Sequence, residues 1–369
     1  LTVTAEVAVV GGGIAGAAAC VALHRHGLRA LWIAPNRGTD DALVGESLAP
    51  AAGPILAQLG LDRLLDGDRH RAANATFSAW GSNALGERNA IVHLEGAGRV
   101  LDRAGFEVDL TAAAAAVAER RPTALTAAAA GSGTWRLALA DGSTAVAGFL
   151  VDASGRGSVA SRALAKPHRD DRLVAACALL PHCDPTVEPT PATLVEAVVD
   201  GWWYAALLPD GRLSLACFSD PDLLPRGLSR DLDAWRALIG RTSHIARWIV
   251  DAGFGVMAPP RLYSAGTTWL DRVAGEHHGA GWAAIGDAAA AFDPLSSHGM
   301  TTALWAAVRI GEAVPAWLAG DRQPLAGYAR AVADGVTAFR TQRAAIYARE
   351  RRFADSAFWK RRTAGLVAA

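Results

Sequence analysis

The stretch EVAVVGGGIAGAAACVALHRHGLRALWIAP, residues 6–35, decides the fold. Val7 to Val10 form the apolar run of a buried strand, and Gly11, Gly13 and Gly16 follow at GxGxxG spacing. An Ala-rich segment of helix-forming composition comes next, and Ala30 to Ala34 is apolar again. Strand, glycine turn, helix, strand is the order of a dinucleotide-binding unit, and each glycine has a task in it. Gly11 permits the tight turn, Gly13 lets the backbone approach a pyrophosphate, and Gly16 lets helix and strand pack closely. Ile14 and Ala15 stand at the helix start, where free amides would meet the phosphates. The acid that usually ends the second strand of such a unit and binds a ribose is missing. Ala34, Pro35, Asn36 and Arg37 stand there instead. Asn36 is the candidate for a ribose bond and Arg37 for adenine or a phosphate, unless both are solvated loop residues.

The rest of the composition narrows the function classes. Of 369 residues 51 % are hydrophobic and 20 % charged, enough for a large core. Lys+Arg 36 balances Asp+Glu 36, so no global field draws nucleic acid or an acidic membrane, and neither is expected as a partner. Cys20, Cys177, Cys183 and Cys217 show no CxxC spacing, which fits buried thiols in a reducing cytoplasm and no metal site. The apolar N-terminus lacks a basic leader and is broken by glycines, so it reads as a strand and not a signal peptide. No apolar run is long enough to span a bilayer. The Ala-rich pieces at 112–118 and 127–130 read as composition filling a helix and a loop.

A second motif lies late in the chain, GDAAAAFDPLSSHGM, residues 286–300. Trp282 to Ile285 reads as a short strand ended by Gly286, and Asp287 stands where a carboxylate can accept hydrogen bonds from a ribityl chain. Pro294 to Gly299 reads as a loop, and Met300 to Ala316 as an apolar helix whose positive N-terminus would stabilise charge on a reduced flavin. This segment resembles the second flavin fingerprint of the glutathione reductase-like flavoproteins, which include aromatic hydroxylases and flavin-dependent halogenases. Between the two lies FLVDASGRGSVASRALA, residues 149–165, similar to that family's DASGRxSxxAR strand and turn. The resemblance implies FAD, with Asp152 close to the pyrophosphate and Arg162 supporting the fold. It implies an α/β architecture: a Rossmann-type FAD-binding domain from 1–75, 100–168 and 280–320, an inserted antiparallel-sheet substrate domain from 76–99 and 169–279, and a helical C-terminal segment, 321–369.

VGESLAPAAGPILAQLGL (44–61), FSAWGS (77–82), VLDRAGFEVDL (100–110), GWWYAALLPDGRLSLACF (201–218) and YARERRFADSAFWKRR (347–362) extend the likeness over nearly the whole chain. The set looks most like the tryptophan halogenase-like branch, and within it the flavoproteins that mature tryptophylquinone enzymes. That likeness places Glu46 and Ser47 beside the isoalloxazine and Arg103 at the ribityl or phosphate region, where the other reading of Arg103 is a surface ion pair. It implies a monooxygenase that uses dioxygen and a flavin C4a-hydroperoxide to hydroxylate an aromatic ring, by resemblance a tryptophan in a partner protein or peptide. Electrons would come from NAD(P)H or a partner flavin reductase.

His298 is the candidate acid or base, or else a helix cap; Glu46 is the other, or else a buried carboxylate bonded to backbone amides. Trp80, Trp202, Trp203, Tyr204 and His298 are candidates to bind the aromatic substrate, against a reading of the aromatic residues as sheet core. The tail arginines Arg349, Arg351, Arg352, Arg361 and Arg362, with Phe358 and Trp359 between, read as an amphipathic helix or as a contact for a protein substrate. Flavin halogenases need a lysine after the GES segment, and this chain's lysines are Lys166 and Lys360, neither suitably placed. Halogenation is therefore disfavoured. The competing readings are a flavin reductase or dehydrogenase of a small apolar metabolite, and an FAD-stabilised chaperone of an immature oxidase.

Overall fold

The structure, a computed structural model, describes residues 2–36, 45–89 and 97–363. Arg37, and Val44 at the head of the GES segment, lie outside the described residues. The strand Thr2–Val10 runs through the middle of an eight-stranded sheet. Leu31–Ile33 and then Glu119–Arg121 lie parallel to it on one side, and Thr144–Asp152 and then Ala280–Ala284 on the other. Strands covered on both faces need no polar alternation, which is why Val7, Ala8, Val9 and the whole of Leu31–Ile33 are apolar and buried.

Register is what makes the site. Val10 pairs with Ile33 on one side and Asp152 on the other, and Asp152 pairs with Ala284. These strands end almost level, so the turns at Gly11, Ala153 and Gly286 leave the sheet at one carboxyl edge. Ligands of open parallel sheets bind at that edge. Behind it, helix Ile14–Arg25 packs on helix Gly299–Leu318 through small residues. A Cβ on Gly311 would lie 2.7 Å from that of Ala22 and 3.0 Å from its carbonyl carbon, so only glycine allows this approach.

One expectation fails here. The alanines at 127–130 belong to the strand Leu125–Gly131, which pairs antiparallel with Thr134–Leu139. Alanine's weak strand preference is overridden by backbone pairing to a neighbour already in the sheet. The alanines at 112–118 do lie in or at the end of helix Arg103–Val117.

A second sheet has seven strands. Its order is 261–264, 174–180, 213–219, 201–207, 192–198, 75–79 and 86–89, antiparallel except where 75–79 lies beside 192–198. One face carries Trp203 and Leu215 against helices Leu232–Ile239 and His244–Asp251. The other carries Trp202 and Phe218 against Tyr347, Phe358 and Trp359 of the C-terminal helices Gln323–Ala348 and Ala357–Thr363. Among the described residues no helix is long and apolar enough to cross a membrane.

Candidate active site

The glycine turn is built as its spacing implies. Gly11 has φ +123°, and a Cβ there would stand 2.2 Å from the Ala153 carbonyl oxygen; one on Gly16 would stand 2.1 Å from the Gly11 oxygen. Trp32 Nε1 donates to that same Gly11 oxygen at 2.9 Å, fixing the turn from the second strand. Gly286, at φ +56°, brings the late motif against the early one: a Cβ there would stand 2.9 Å from that of Ala15. Gly11, Gly13, Ile14, Ala15, Gly16, Gly286 and Asp287 are therefore gathered at one place from opposite ends of the chain.

Two helices begin there with uncapped N-termini. Ile14–Arg25 starts after Gly13, and Gly299–Leu318 after His298, each without a side-chain cap or an acid in its first turn. Helix Leu232–Ile239, away from the motif turns, is capped by Asp231. Uncapped first-turn amides amid a dipole's positive end suit the phosphates of a dinucleotide and the electron-rich edge of a flavin. The residues present thus fit FAD.

Asp287 lines a cavity of about 250 Å³ with Arg156, Ser158, His168, Arg169 and Trp269. Its carboxylate lies 3.7 Å from Arg156 Nε and keeps 44 % of its side-chain exposure. Desolvation by the walls of this concavity pushes its pKa above the ordinary carboxylate value, against the lowering effects of Arg156 and Arg103. Arg156, whose role the motif pattern left unassigned, also donates to the carbonyls of Gly266 and, at 3.3 Å, Phe292. Asp152 does something else: its oxygens accept from Ser154 N and Oγ, Ala160 N, and Ser161 N and Oγ at 2.5–3.0 Å. Its carboxylate organises the turn that backs the glycine loop, and is 1 % exposed.

Glu46 stands against the seven-stranded sheet. It is 4 % exposed, and Ser214 Oγ of that sheet donates to its Oε2 at 3.3 Å. Burial pushes its carboxyl up, against lowering by Tyr204, Ser214 and the charge of Arg103. Tyr204 thus lies near enough to act on the carboxyl, yet neither its buried hydroxyl nor Glu46 Oε1 completes an aligned hydrogen bond. The backbone amide of Glu46 itself also lowers the carboxyl's pKa. Arg103 donates to the Gly45 carbonyl and pairs with Glu107 at 2.6 Å, 18 % exposed. Ser47 begins the two-residue strand beside Val100. Pro294 opens a helical turn, Ser297 follows in the left-handed region at φ +53°, and exposed His298 precedes Gly299 and the nearly buried Met300.

No protein-family model matches the chain. It is 27 % identical over 371 residues to the protein named FAD-dependent oxidoreductase LodB of Marinomonas mediterranea, covering 96 % of each. Among solved structures, the myxobacterial chondrochloren halogenase CndH superposes with a TM-score of 0.85 at 22 % identity, over 98 % of this chain and 86 % of that one. The chain has the FAD-dependent halogenase fold. Peptidyl tryptophan dihydroxylase QhpG, essential for tryptophylquinone cofactor biogenesis, shares this fold with a TM-score of 0.78 and 22 % identity, over 97 % of this chain and 78 % of that one. Both comparisons agree with the halogenase-like resemblance read from the motifs.

Within this fold the aromatic candidates divide between the two readings. Trp202 and Trp203 are each 1 % exposed and point to opposite faces of their strand, so they are core and not pocket lining. Alternation along a strand dictates this outcome for adjacent residues. Trp80 packs edge-on against Trp202, Tyr347 and Trp359 and donates to the Ile346 carbonyl at 3.0 Å, so it seats the C-terminal helices. Tyr204, two residues beyond Trp202 on its face, is the one of the four beside Glu46. Asn36 is exposed and accepts from Arg120 at 3.1 Å, and Arg120 lies over the Trp32 ring at 5.4 Å. Arg120 was missed because it arrives from the distant strand 119–121.

The tail arginines are mostly spent on the body: Arg361 and Arg362 pair with Asp220, and Arg352 with Glu350. Phe358 and Trp359 are 0 % exposed, as the amphipathic reading requires. Among the described residues no cluster of His, Cys, Asp and Glu forms a metal site, and the four cysteines are unpaired.

Proposed function

We propose that the chain is an FAD-dependent monooxygenase that hydroxylates an aromatic ring, a tryptophan side chain in a partner protein or peptide. Dioxygen is its co-substrate, and NAD(P)H or a partner flavin reductase its electron source. The observation that carries this reading is Glu46: a buried carboxyl on the flavin-side segment that faces Tyr204 and Ser214 of the seven-stranded sheet, with one oxygen beside Tyr204 that completes no aligned hydrogen bond. Buried polar atoms are rarely left so unless something else completes them. A ring N–H or O–H presented at this seam would do so.

FAD, when bound, supplies the activated oxygen that side chains cannot. The chain's own residues do the rest. Gly11, Gly13 and Gly16 admit the pyrophosphate, Asp287 accepts from the ribityl hydroxyls, and Arg103 steadies the GES segment between Glu46 and Asp287. The first-turn amides at Gly299 and Met300 stabilise negative charge on the flavin ring. Glu46 takes the proton lost as the aromatic ring is substituted, Tyr204 orients it, and exposed His298 passes protons to solvent. The seven-stranded sheet excludes water from the seam.

Similarity to QhpG, named for its action on peptidyl tryptophan, supports the substrate class. Halogenase relatives are as close in fold, but they do not favour halide chemistry here. The Lys166 amide is tied to Asp271, and Lys360 sits in the tail beside Asp355, both remote in role from the Glu46 seam. Peroxide release on reoxidation of the reduced protein tests the reading. Tryptophan-bearing peptides and proteins encoded beside this chain should include one that suppresses peroxide in proportion to its binding. Stoichiometric peroxide with all of them would favour the reductase or dehydrogenase reading.

A further inference from the structure

The late motif carries two acids, and only Asp287 faces the cavity. Asp293, six positions on, is 0 % exposed, and its side chain is held from three directions. Its Oδ1 accepts from Leu295 N at 3.0 Å; its Oδ2 accepts from Arg343 Nε at 3.0 Å and from the Tyr347 hydroxyl at 2.8 Å. Trp202 Nε1 in turn donates to the Tyr347 hydroxyl at 3.0 Å. The proton order is fixed, since an indole only donates and a carboxylate only accepts. The relay therefore runs from the seven-stranded sheet, through the C-terminal helix, to the first residue of the loop that leads into Gly299.

Arg343 is itself clamped between Asp293 and Asp171, and Trp80 and Trp359 pack on the Tyr347 ring at 5.8 Å each. Nothing in a helix-packing role requires these polar groups at a motif residue; leucines would fill the space. Charged, hydrogen-bonded groups in a dry seam fix one geometry more sharply than apolar packing does. The loop they fix ends at the uncapped amides of Gly299, and the sheet they grip carries Tyr204 on the same face as Trp202.

We propose that Tyr347 and Arg343 are positioning residues: through Asp293 they set the Pro294–Gly299 loop against the flavin and register it with the sheet that seats the substrate. The proposal rests on the reading that this edge of the sheet holds FAD. Tyr328 provides a matched control, because it lies on the same helix, is 0 % exposed, and donates its hydroxyl to the Ala284 carbonyl at 2.6 Å, away from the loop. Amide hydrogen exchange is measured over residues 293–300 of the cofactor-free protein for Tyr347→Phe, Tyr328→Phe and the unsubstituted chain.

Losing a charge-assisted buried hydrogen bond should speed exchange there by about tenfold or more in Tyr347→Phe and leave it unchanged in Tyr328→Phe. FAD affinity, followed by flavin fluorescence, should weaken severalfold more in the first variant than in the second. Equal exchange in the two variants overturns the proposal. Should Tyr347→Phe not fold, Asp293→Asn must give the same local acceleration, and unaltered protection in it overturns the proposal equally. A chain that bound no FAD at all would end the functional reading, while the exchange comparison would still decide whether Tyr347 holds the loop.

Discussion

The carboxyl edge of the parallel sheet and the seam beneath the C-terminal helices are built from opposite materials. At the first, Gly11, Gly13, Ala15, Gly16 and Gly286 crowd together with almost no side-chain volume, and two helices end in open amides. At the second, Trp80, Trp202, Tyr347, Phe358 and Trp359 fill the space, and Asp293, Asp171, Asp220, Arg343, Arg361 and Arg362 satisfy one another. Small residues stand where another molecule must come close. Large ones stand where the protein closes on itself.

The sharpest way to break this contrast is to add one methyl group to the small side. Gly11→Ala places a Cβ 2.2 Å from the Ala153 oxygen in a backbone conformation that L-residues avoid. FAD retention through gel filtration should fall to background, whereas normal retention would show that the turn is not the pyrophosphate cradle. On the large side, Trp359→Ala should cost about 3–5 kcal/mol of stability by removing a fully buried indole. Urea unfolding checks this, and FAD affinity measured below the transition should change little. A large affinity loss there would mean the aromatic seam is part of the cofactor site.

Smaller effects separate the acids. Asp287→Asn should weaken FAD about tenfold, the scale of one hydrogen bond to a charged acceptor, without lowering the melting temperature of the cofactor-free protein. Glu46→Gln tests burial. The folded-state pKa of Glu46 is raised, so the native state resists its ionisation, and stability falls as pH climbs from the ordinary carboxylate range through the raised value. The glutamine variant should therefore melt higher than the native chain at pH 8, by about 1–3 °C, and the gap should close toward pH 4. A gap independent of pH would mean that Glu46 is not charged against its environment.

What could be read from the sequence follows the same division. Glycine spacing, apolar runs and short acidic motifs are local signals, and they located Gly11, Gly286, Asp287 and the helix at Gly299 within a residue or so. Local pattern also put Trp202 and Trp203 together as pocket candidates. Adjacent residues on a strand face opposite ways, and only the covering elements decide what each face meets. The relay from Trp202 through Tyr347 to Asp293 spans 145 positions and then 54, so no window along the chain contains it. Arg120 beside Asn36 was hidden for the same reason, being contributed by a strand 84 positions away. The alanine run at 127–130 misled because its strand exists only by pairing with 134–139.

The account stands or falls on where oxygen goes. The reduced, FAD-loaded protein should be mixed with isotopically labelled dioxygen, a tryptophan-bearing candidate partner, and chloride and bromide together, and the partner then read by peptide mass spectrometry. The account predicts one or two labelled oxygen atoms on a tryptophan, in amounts unaffected by halide. A tryptophan carrying halogen, or a partner unaltered in mass while the flavin is fully reoxidised, would contradict it.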